Sequence, residues 1–586
     1  MASFRWVWGY IKPSKLNWIW ASLWTVMVAL LNIVTPYIGG MIVDEVIDNK
    51  RGSLLVPLLI IMVVATVLRT VLRYVYQMMF ETIGQEVLFQ IREDLYVKLQ
   101  EMDFVFFNTT RVGDIMARMT GDTDAIRHAV SWVYFNVLDN IVLFISAIAF
   151  LGGIQWRLML AMLVVTPFIG ILTVMLSSRA NAAYYEIRES FSRLNSMVEE
   201  NIGGNKVVKA FANEDYETKK FNKRNEDYRE RNLFSAKISR TYLPVLETLA
   251  GLLSVISIGL GGFFVIRGLM TVGELVAFNG LVWMLNAPMR NIGGYMNDSQ
   301  RFITATYKIR EMLSAQPLIP VELQRREKRI KGEVEFQNVS FAFADDPDNK
   351  VLENISLKAS PGQTLGILGE TGSGKSTLVN LISRFFDPTE GMVLIDGEDI
   401  KNWNVRELRK NISIVMQDVF LFSDTIKKNI SYGTPQATFE NVRKMARVAD
   451  ASPFIEKMPE QYQTYLGERG SGLSGGQKQR LSLARGLMKD PSILILDDTT
   501  SAVDMETEVK IQEGMKNVSF AKTTFIIANR ISSVKNADEI IILSKGKIIE
   551  RGKHQELLQK QGAYYDIYKE QLGRSEVEEV SEDGRE

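Results

Sequence analysis

The chain has 586 residues, of which 46% are hydrophobic, with equal numbers of basic and acidic residues and no cysteine. A net charge of zero leaves no basic excess for neutralising phosphates, which argues against a nucleic-acid partner. The lack of cysteine excludes disulfides and thiolate zinc sites, and the length, at roughly 150 residues per domain, predicts more than one domain.

The N-terminal half contains six apolar stretches, each long enough to cross a bilayer as a helix of roughly 20 residues. Before them, residues 1–15 combine aromatic residues with lysines, which is typical of an amphipathic segment at a membrane surface and not of a cleaved signal. The six predicted spans lie near residues 17–42, 54–80, 129–152, 158–180, 243–266 and 272–295. We therefore predict a six-helix transmembrane domain over residues 1–320.

The connections between these spans differ in length. Those after the first, third and fifth spans are short, whereas residues 81–128 and 181–242 are long, charged and helical in their periodicity. Their lysines and arginines place them, and with them both termini, on the cytoplasmic side. Turn-forming residues predict non-helical breaks at 108–121 and 213–222. Each break is consistent with a lever that contacts another domain and equally with a solvated helical hairpin.

The C-terminal half has the pattern of a soluble domain. A charged linker at 321–330 precedes an alternating apolar pattern that begins with VEFQNVSFAF and predicts β-strands. We place this domain at 331–572. Residues 573–586 are acidic and too poor in apolar residues to pack, which predicts a disordered tail.

A glycine-rich loop lies between a predicted strand and a predicted helix in TLGILGETGSGKSTLVNLI. It matches the pattern G-x-x-x-x-G-K-[ST], in which backbone N–H groups and a helix N-terminus bind phosphates. In this pattern Lys375 binds the outer phosphates and Ser376 places its hydroxyl on Mg²⁺. The predicted ATP-binding residues are Gly369, Glu370, Thr371, Gly372, Ser373, Gly374, Lys375, Ser376 and Thr377.

Two further motifs follow the glycine-rich loop. The apolar run ILILDD ends in acids and predicts Asp497 as a second Mg²⁺ ligand. The segment LSGGQKQR, residues 473–480, offers backbone N–H groups at the start of a helix. Ordinary helix capping accounts for that segment equally well, and many buried strands end in a polar residue. Neither motif alone decides a function.

The order of motifs, completed by SAVD at 501–504, resembles the ATP-binding cassette family, and the six preceding spans resemble its exporter branch. The resemblance implies an all-α six-helix transmembrane domain with long cytoplasmic extensions, followed by an α/β P-loop cassette, in a multi-pass protein of the cytoplasmic membrane. It also implies a second half-transporter as partner, because the P-loop of one cassette and the LSGGQ of the other enclose each ATP. The residues that then serve the partner's ATP are Leu473, Ser474, Gly475, Gly476 and Gln477.

Other positions take their expected roles from the same resemblance. The two breaks correspond to coupling helices that dock on cassettes, and residues 464–470 (TYLGERG) resemble a segment that couples a cassette to the helices. Gln417 matches the glutamine that contacts Mg²⁺ and the membrane domain. Phe343 matches the aromatic residue that stacks on adenine, and the alternative is a strand aromatic facing the core.

Two positions depart from the family's pattern. The family usually has a glutamate after the strand-ending aspartate, where it polarises the attacking water, and this chain has Asp498. A histidine that contacts the γ-phosphate is replaced by Asn529, and neither His128 nor His554 can substitute by sequence position. A displacement of about 1 Å can cost on the order of 100-fold in rate, and asparagine carries no positive charge. We therefore predict slow hydrolysis at this P-loop, unless a backbone shift compensates.

Both departures lie on the P-loop side, whereas LSGGQ is intact. Bacterial heterodimeric multidrug exporters often pair a degenerate subunit with a complete one, and this sequence resembles the degenerate subunit. A slow homodimer is the alternative.

The predicted spans contain residues suited to a substrate cavity. Acids inside a membrane are costly, so Asp139 and Glu247 are candidates, with an adaptable lining from Trp283, Trp132, Tyr134 and Met284. Such a cavity suits small amphipathic cations. Plain packing and helix–helix hydrogen bonding are the alternatives for these residues. At the level of function the alternatives are a lipid flippase, a peptide exporter and an ATP-gated membrane regulator that does not pump.

Overall fold

The computed structural model describes residues 2–319, 330–499, 503–517 and 522–572. The chain divides into two compact units, of which the first comprises Met1–Gln100 with Thr110–Ala315. The second comprises Glu101–Thr109 with Gln316–Glu586. The predicted acidic tail, and the predicted linker except Ile330, lie outside the described residues.

The N-terminal part of the chain is built from helices, with short π-helical stretches at Ile42–Asp48, Arg118–Asp122 and Ala129–Val133. Their bounds are α1 Ala2–Ile11, α2 Lys15–Met41, α3 Leu55–Glu101, α4 Phe104–Thr109, α5 Val112–Ala117, α6 Thr123–His128, α7 Tyr134–Gly203, α8 Asn205–Ala210, α9 Glu214–Ile266, α10 Val272–Leu281 and α11 Trp283–Ser314.

Within the described residues, four helical stretches are long and apolar enough to cross a membrane: Ala2–Asp48, Gly52–Glu101, Val112–Gly203 and Glu214–Ile266. The third includes both the third and fourth predicted spans. The short connection predicted between them is reduced to one non-helical residue, Gln155, inside α7. The sixth predicted span is divided between α10 and α11, which meet at Val282. Pro288, one to two turns later, cannot donate the next backbone bond along this helix.

The two predicted breaks are shorter than the sequence pattern indicates. In the first, only residues 110–111 are non-helical before α5 begins. In the second, the non-helical interval is 211–213, so the predicted break over 213–222 is confirmed only at Asn213 and is wrong for 214–222. Glu214, Asp215 and Glu217 occupy the first turn of α9, where acidic side chains favour helix formation.

The second unit combines short helices with two sheets. Its helices are α12 Lys375–Ile382, α13 Val405–Asn411, α14 Ile426–Ile430, α15 Phe439–Val448, α16 Ser452–Ile455, α17 Gly475–Met488, α18 Met505–Asn517, α19 Ile531–Val534, α20 His554–Lys560 and α21 Ala563–Leu572. Its strands are β1 Val334–Ala342, β2 Lys350–Ala359, β3 Thr364–Gly369, β4 Glu390–Ile395, β5 Glu398–Asp399, β6 Ile412–Val415, β7 Ile493–Asp497, β8 Thr523–Ile527, β9 Glu539–Ser544 and β10 Lys547–Gly552.

The larger sheet determines where chemistry can occur. Among the described strands its order is β10-β9-β3-β8-β7-β6. Pairing is parallel from β9 through β6, and β10 pairs antiparallel with β9. The carboxyl ends of β3, β8 and β7 therefore meet at one edge, the usual ligand site of parallel sheets. The smaller sheet, β2-β1-β4-β5, is antiparallel.

A short segment from the N-terminal half, Glu101–Thr109, packs with the second unit. The ring of Phe104 stacks on Phe385 with centroids 4.3 Å apart, and Val105 packs against the core around the sheets. The buried carboxylate of Asp103 accepts hydrogen bonds from the backbone N–H groups of Leu318 and Ile319, at 2.5 and 3.2 Å. This unit is thus built from two separate stretches of sequence.

Candidate nucleotide-binding site

The predicted phosphate-binding loop lies between β3 and α12. Gly372 and Gly374 have φ values of +84° and +98°, which residues with a Cβ rarely adopt. A Cβ on Gly374 would also lie 2.9 Å from the carbonyl oxygen of Val351. The left-handed Gly374 is the N-cap of α12, so the loop turns directly into the helix N-terminus. Glycine is therefore required for the loop to follow this path.

Lys375 lies inside this loop, with its side chain largely buried. Its ammonium donates hydrogen bonds to the carbonyl oxygens of Gly369 and Glu370, at 2.7 and 2.9 Å. Burial lowers the pKa of Lys375, and the charges of Asp497 and Asp498 oppose that change. A bound polyphosphate would favour the charged ammonium further, because opposite charge raises a lysine pKa.

The carboxylates at the end of β7 face the loop. The hydroxyl of Ser376 donates a hydrogen bond to Asp497, whose pKa is raised by burial. Asp498 has a φ of +49°, and its backbone N–H donates to the Ile527 carbonyl at 2.9 Å. This bond joins the end of β7 to the end of β8, two residues before Asn529. The amide of Asn529 donates to Oδ2 of Asp498 at 3.4 Å.

These side chains surround one cavity of about 240 Å³. Gln417 joins the loop residues, the two aspartates and Asn529 in its lining. Sequence reasoning missed Val351 and Ile527, which supply apolar wall. Neither belongs to a motif, since Val351 comes from a different sheet and Ile527 is simply the last residue of β8. The cavity lining is Val351, Thr371, Gly372, Gly374, Lys375, Ser376, Thr377, Gln417, Asp497, Asp498, Ile527 and Asn529.

The donor set fits ATP with Mg²⁺. The hydroxyl of Ser373, buried in the loop, has no hydrogen-bond partner within the described protein, which leaves it available to a ligand. Ser376, Gln417 and Asp497 offer the oxygen ligands that Mg²⁺ prefers. In the part of the chain that the structure describes, no group of three or more histidine or acidic side chains is arranged to hold a metal ion by itself. In proteins Mg²⁺ is usually bound by one or two carboxylates together with substrate phosphates.

The LSGGQ segment lies elsewhere in the same unit. Ser474 is the N-cap of α17, where its hydroxyl accepts from the Gln477 backbone at 3.3 Å in a capping box. Leu473 packs against a core cluster, Ser474 and Gly475 are exposed, and Gly476 and Gln477 are half-buried. None of the five residues lines the cavity around Lys375. Ser474 therefore caps α17 and is exposed at the same time, which leaves the N-terminus of this helix accessible on the single chain.

Phe343 is not in the lining of that cavity either. Its half-buried ring makes edge-on contacts with Phe341 and Phe386, at centroid distances of 5.0 and 5.4 Å. It packs against the core around the two sheets. Those contacts agree with the core-facing alternative for this aromatic residue.

The predicted cavity residues of the first unit lie on three helices. Asp139 is half-buried on α7, and its Oδ1 atom has no hydrogen-bond partner among the described residues. Glu247 on α9 and Trp283 on α11 are exposed on the single chain. An apolar cavity of about 530 Å³ lies between α7 and α11, and its lining includes Asn140 and Tyr295 but none of these three residues.

Comparison with known proteins gives the family. The ABC transporter transmembrane region matches residues 18–289, and the ABC transporter domain matches residues 352–501. A solved structure described as a bacterial Atm1-family ABC exporter with ATP bound has a TM-score of 0.80 and 25% sequence identity. The match covers 96% of this chain and 99% of that chain. The helical N-terminal region followed by an α/β unit is therefore the exporter fold.

Curated relatives cover nearly the same length. The uncharacterised ABC transporter ATP-binding protein YknU of Bacillus subtilis is 37% identical over 97% of both chains. The putative multidrug export protein YgaD of the same bacterium is 36% identical, over 83% of this chain and 84% of the relative. An ATP-dependent lipid A-core flippase of Syntrophus aciditrophicus is 34% identical, over 86% and 83%. The chain belongs to the ABC transporter family, as an ATP-binding, multi-pass half-transporter of the exporter type that works as a dimer.

Proposed function

We propose that this half-transporter drives ATP-dependent export of small amphipathic compounds across the cytoplasmic membrane, with its cassette in the cytoplasm. One observation carries the proposal: the P-loop, Gln417, Asp497, Asp498 and Asn529 share one cavity at the edge of the parallel sheet. The multidrug-export names among its relatives support the substrate class.

Different residues around this cavity bind the phosphates of ATP and the Mg²⁺ ion. The loop backbone and the N-terminus of α12 bind the phosphates, and Lys375 exchanges its two carbonyl partners for phosphate oxygens. Ser376, Asp497 and Gln417 would hold Mg²⁺. When bound, Mg²⁺ neutralises phosphate charge.

In this proposal, the ATP site formed by the P-loop of this chain hydrolyses ATP slowly. Asp498 has one methylene fewer than the usual glutamate, and its carboxylate already accepts from Asn529 at 3.4 Å. Asn529 can donate a hydrogen bond to a phosphate but adds no positive charge. Weaker polarisation of water and weaker stabilisation of the developing phosphate charge both lower the rate.

The test is the ATPase rate of the purified chain in lipid, beside the Asp498→Glu, Asn529→His double variant. We expect the double variant to raise kcat by about 10-fold or more with little change in KM, because only the hydrolysis step gains. Asp498→Asn is the control that removes the carboxylate, and ATP binding is measured for all three. A native rate typical of transporters, unchanged by the double variant, would overturn the slow site.

We further propose that the partner is a different half-transporter with an intact glutamate. Its P-loop would use the exposed Ser474 and Gly475 of this chain. Isolation of the tagged chain from its native membrane should then recover a second half-transporter in equal amount. Recovery of this chain alone, as a homodimer, would contradict the heterodimer.

The substrate proposal uses the acids of the membrane domain. Asp139 is half-buried with one oxygen unpartnered, and an unpaired polar atom in a membrane is costly, so a cationic ligand would satisfy it. The double variant Asp139→Asn, Glu247→Gln should lower efflux of a cationic dye by about 10-fold, because such a loss corresponds to one charge-assisted contact. Efflux of a neutral dye should stay unchanged. If the variant and the native protein exported the cationic dye at the same rate, Asp139 and Glu247 would have no role in substrate binding.

Lipid translocation is the second candidate, because two relatives are named lipid A-core flippases, each at 34% identity. Reconstituted vesicles distinguish the two functions. Movement of a fluorescent lipid between leaflets without dye transport would favour the flippase.

A further inference from the structure

The last helix of the second unit reaches the loop that holds Asn529. The side-chain amide of Gln571, in the last turn of α21, donates to the backbone carbonyl of Asn529 at 2.7 Å. Its oxygen accepts from the backbone N–H of Ile531 at 2.9 Å. One glutamine therefore satisfies a carbonyl and an N–H on either side of Arg530. Both distances are those of good hydrogen bonds.

The opposite end of α21 is fixed to the sheet. The carboxylate of Glu550, in β10, accepts from the backbone N–H groups of Ala563 and Tyr564, at 2.5 and 3.1 Å. The ring of Tyr564 is fully buried, and its hydroxyl lies 2.6 Å from Nδ1 of His554. These contacts attach the first turn of α21 to β10 and α20.

An apolar cluster connects α21 with the start of the P-loop. It contains Ile531 and Val534 of α19 and Tyr564 of α21, all at most 3% exposed. Leu368, in the same cluster, directly precedes Gly369. Ile531 is therefore held by packing, whereas Asn529, two residues earlier, is exposed. The backbone carbonyl of Asn529 is held by its hydrogen bond to Gln571.

We propose that Gln571 is a positioning residue that orients Asn529 toward the nucleotide, an inference that rests on the proposed ATP hydrolysis. With its carbonyl fixed by Gln571, Asn529 presents its amide beside Asp498, in the cavity around Lys375. Without Gln571, the residues between β8 and α19 can rotate and move that amide away. Gln571 is not among the residues that line this cavity, so its effect on the reaction passes through Asn529.

The first readout is hydrogen exchange of the full-length protein in lipid, because it requires no activity. Gln571→Met keeps the length and helix propensity of the side chain and removes both hydrogen bonds. We expect faster exchange in the peptide covering 528–535, which contains the Ile531 N–H, and unchanged exchange in peptides covering 364–382. Glu570→Gln, on the adjacent exposed residue, is the matched control.

The second readout is the single-turnover rate of ATP hydrolysis, which stays measurable at a slow site. Gln571→Met should lower this rate by about 3- to 10-fold and change ATP affinity by less than about 2-fold, since misplacement of a reacting group affects mainly the transition state. In an Asn529→Ala background the same substitution should have no further effect.

The outcomes separate the two ideas. Unchanged exchange at 528–535, or equal rate losses with and without Asn529, would overturn the role of Gln571. If the dimer that contains this chain hydrolyses no ATP, the proposed function fails. Faster exchange in Gln571→Met would then still establish the contact and would remove its link to catalysis.

Discussion

Burial shifts the protonation equilibria of Lys375 and Asp497 toward their neutral forms. The pKa of Lys375 is lowered and that of Asp497 is raised, in each case chiefly by desolvation. A carboxylic acid must lose its proton to bind a metal ion, so proton and Mg²⁺ compete for Asp497. Because the pKa of Asp497 is higher in the folded protein than its ordinary value of 3.8, folding stability falls as pH rises from 3.8 to the raised pKa.

Affinity for Mg²⁺ with ATP should therefore fall as pH is lowered toward the raised pKa of Asp497, and by about tenfold per pH unit below it. The measurement is ATP affinity with and without Mg²⁺ from pH 7.5 to the lowest pH at which the protein stays folded. Asp497→Asn is the control, because it keeps the shape without the titration. A pH dependence that is the same in Asp497→Asn would assign the effect to the nucleotide.

At the scale of single residues, most of the candidate nucleotide-binding site could be predicted from short sequence motifs. Lys375 and Asp497 could be found from motifs that follow predicted strands, whereas Gln417, Asp498 and Asn529 were indicated by resemblance to the family's pattern. All five residues line one cavity. The edge-on packing of Phe343 depends on Phe386, which is distant in sequence and not part of a motif. Gln571 likewise acts on a loop 40 residues earlier, and nothing in its own sequence context indicates this contact.

Close helix packing in the first unit depends on glycine. A Cβ on Gly40 of α2 would lie 2.4 Å from the carbonyl oxygen of Gly273 in α10 and 2.9 Å from Cβ of Ala277. Beside this contact, the carboxylate of Asp44 accepts from the N–H of Gly273 and the hydroxyl of Thr271, at 2.7 and 2.6 Å. Small residues allow such approach of membrane helices, and the acid caps the start of α10.

Gly40→Ala should lower the unfolding temperature of the purified protein, because overpacking costs about 1–3 kcal/mol. Gly39→Ala is a matched control on the adjacent residue, where an added Cβ meets nothing within 4 Å. It should be neutral or slightly stabilising, since alanine favours helix over glycine by up to about 1 kcal/mol. Thermal unfolding in detergent measures both. Equal destabilisation by the two variants would show that helix flexibility, not the contact, is responsible.

At the scale of elements, composition predicted which stretches are apolar but not how helices are divided. The turn between α7's two apolar halves contracts to Gln155, and α9 begins at Glu214, eight residues before the predicted break ends. The early start of α9 has a physical reason, because Glu214, Asp215 and Glu217 lie in its first turn, where acidic side chains favour the helix.

At the scale of the whole molecule, topology separates the two halves of an ATP site. Parallel strands bring the P-loop, Asp497 and Asn529 to one edge, whereas LSGGQ caps a helix outside the cavity that they line. The resemblance to the ATP-binding cassette family implied both the α/β fold and this separation.

The heterodimer predicts an asymmetry between two variants of this chain. Ser474→Arg introduces bulk and charge where LSGGQ would meet the partner's complete P-loop, so ATPase of the complex should fall by about 100-fold or more. Lys375→Ala weakens only the slow site of this chain and should lower total ATPase by no more than about 3-fold, because the faster site sets the total. Ser471→Arg, an exposed residue before the motif, controls for bulk and charge in that region. Equal losses in Ser474→Arg and Lys375→Ala would mean that the two sites are equivalent, which is the behaviour of a homodimer.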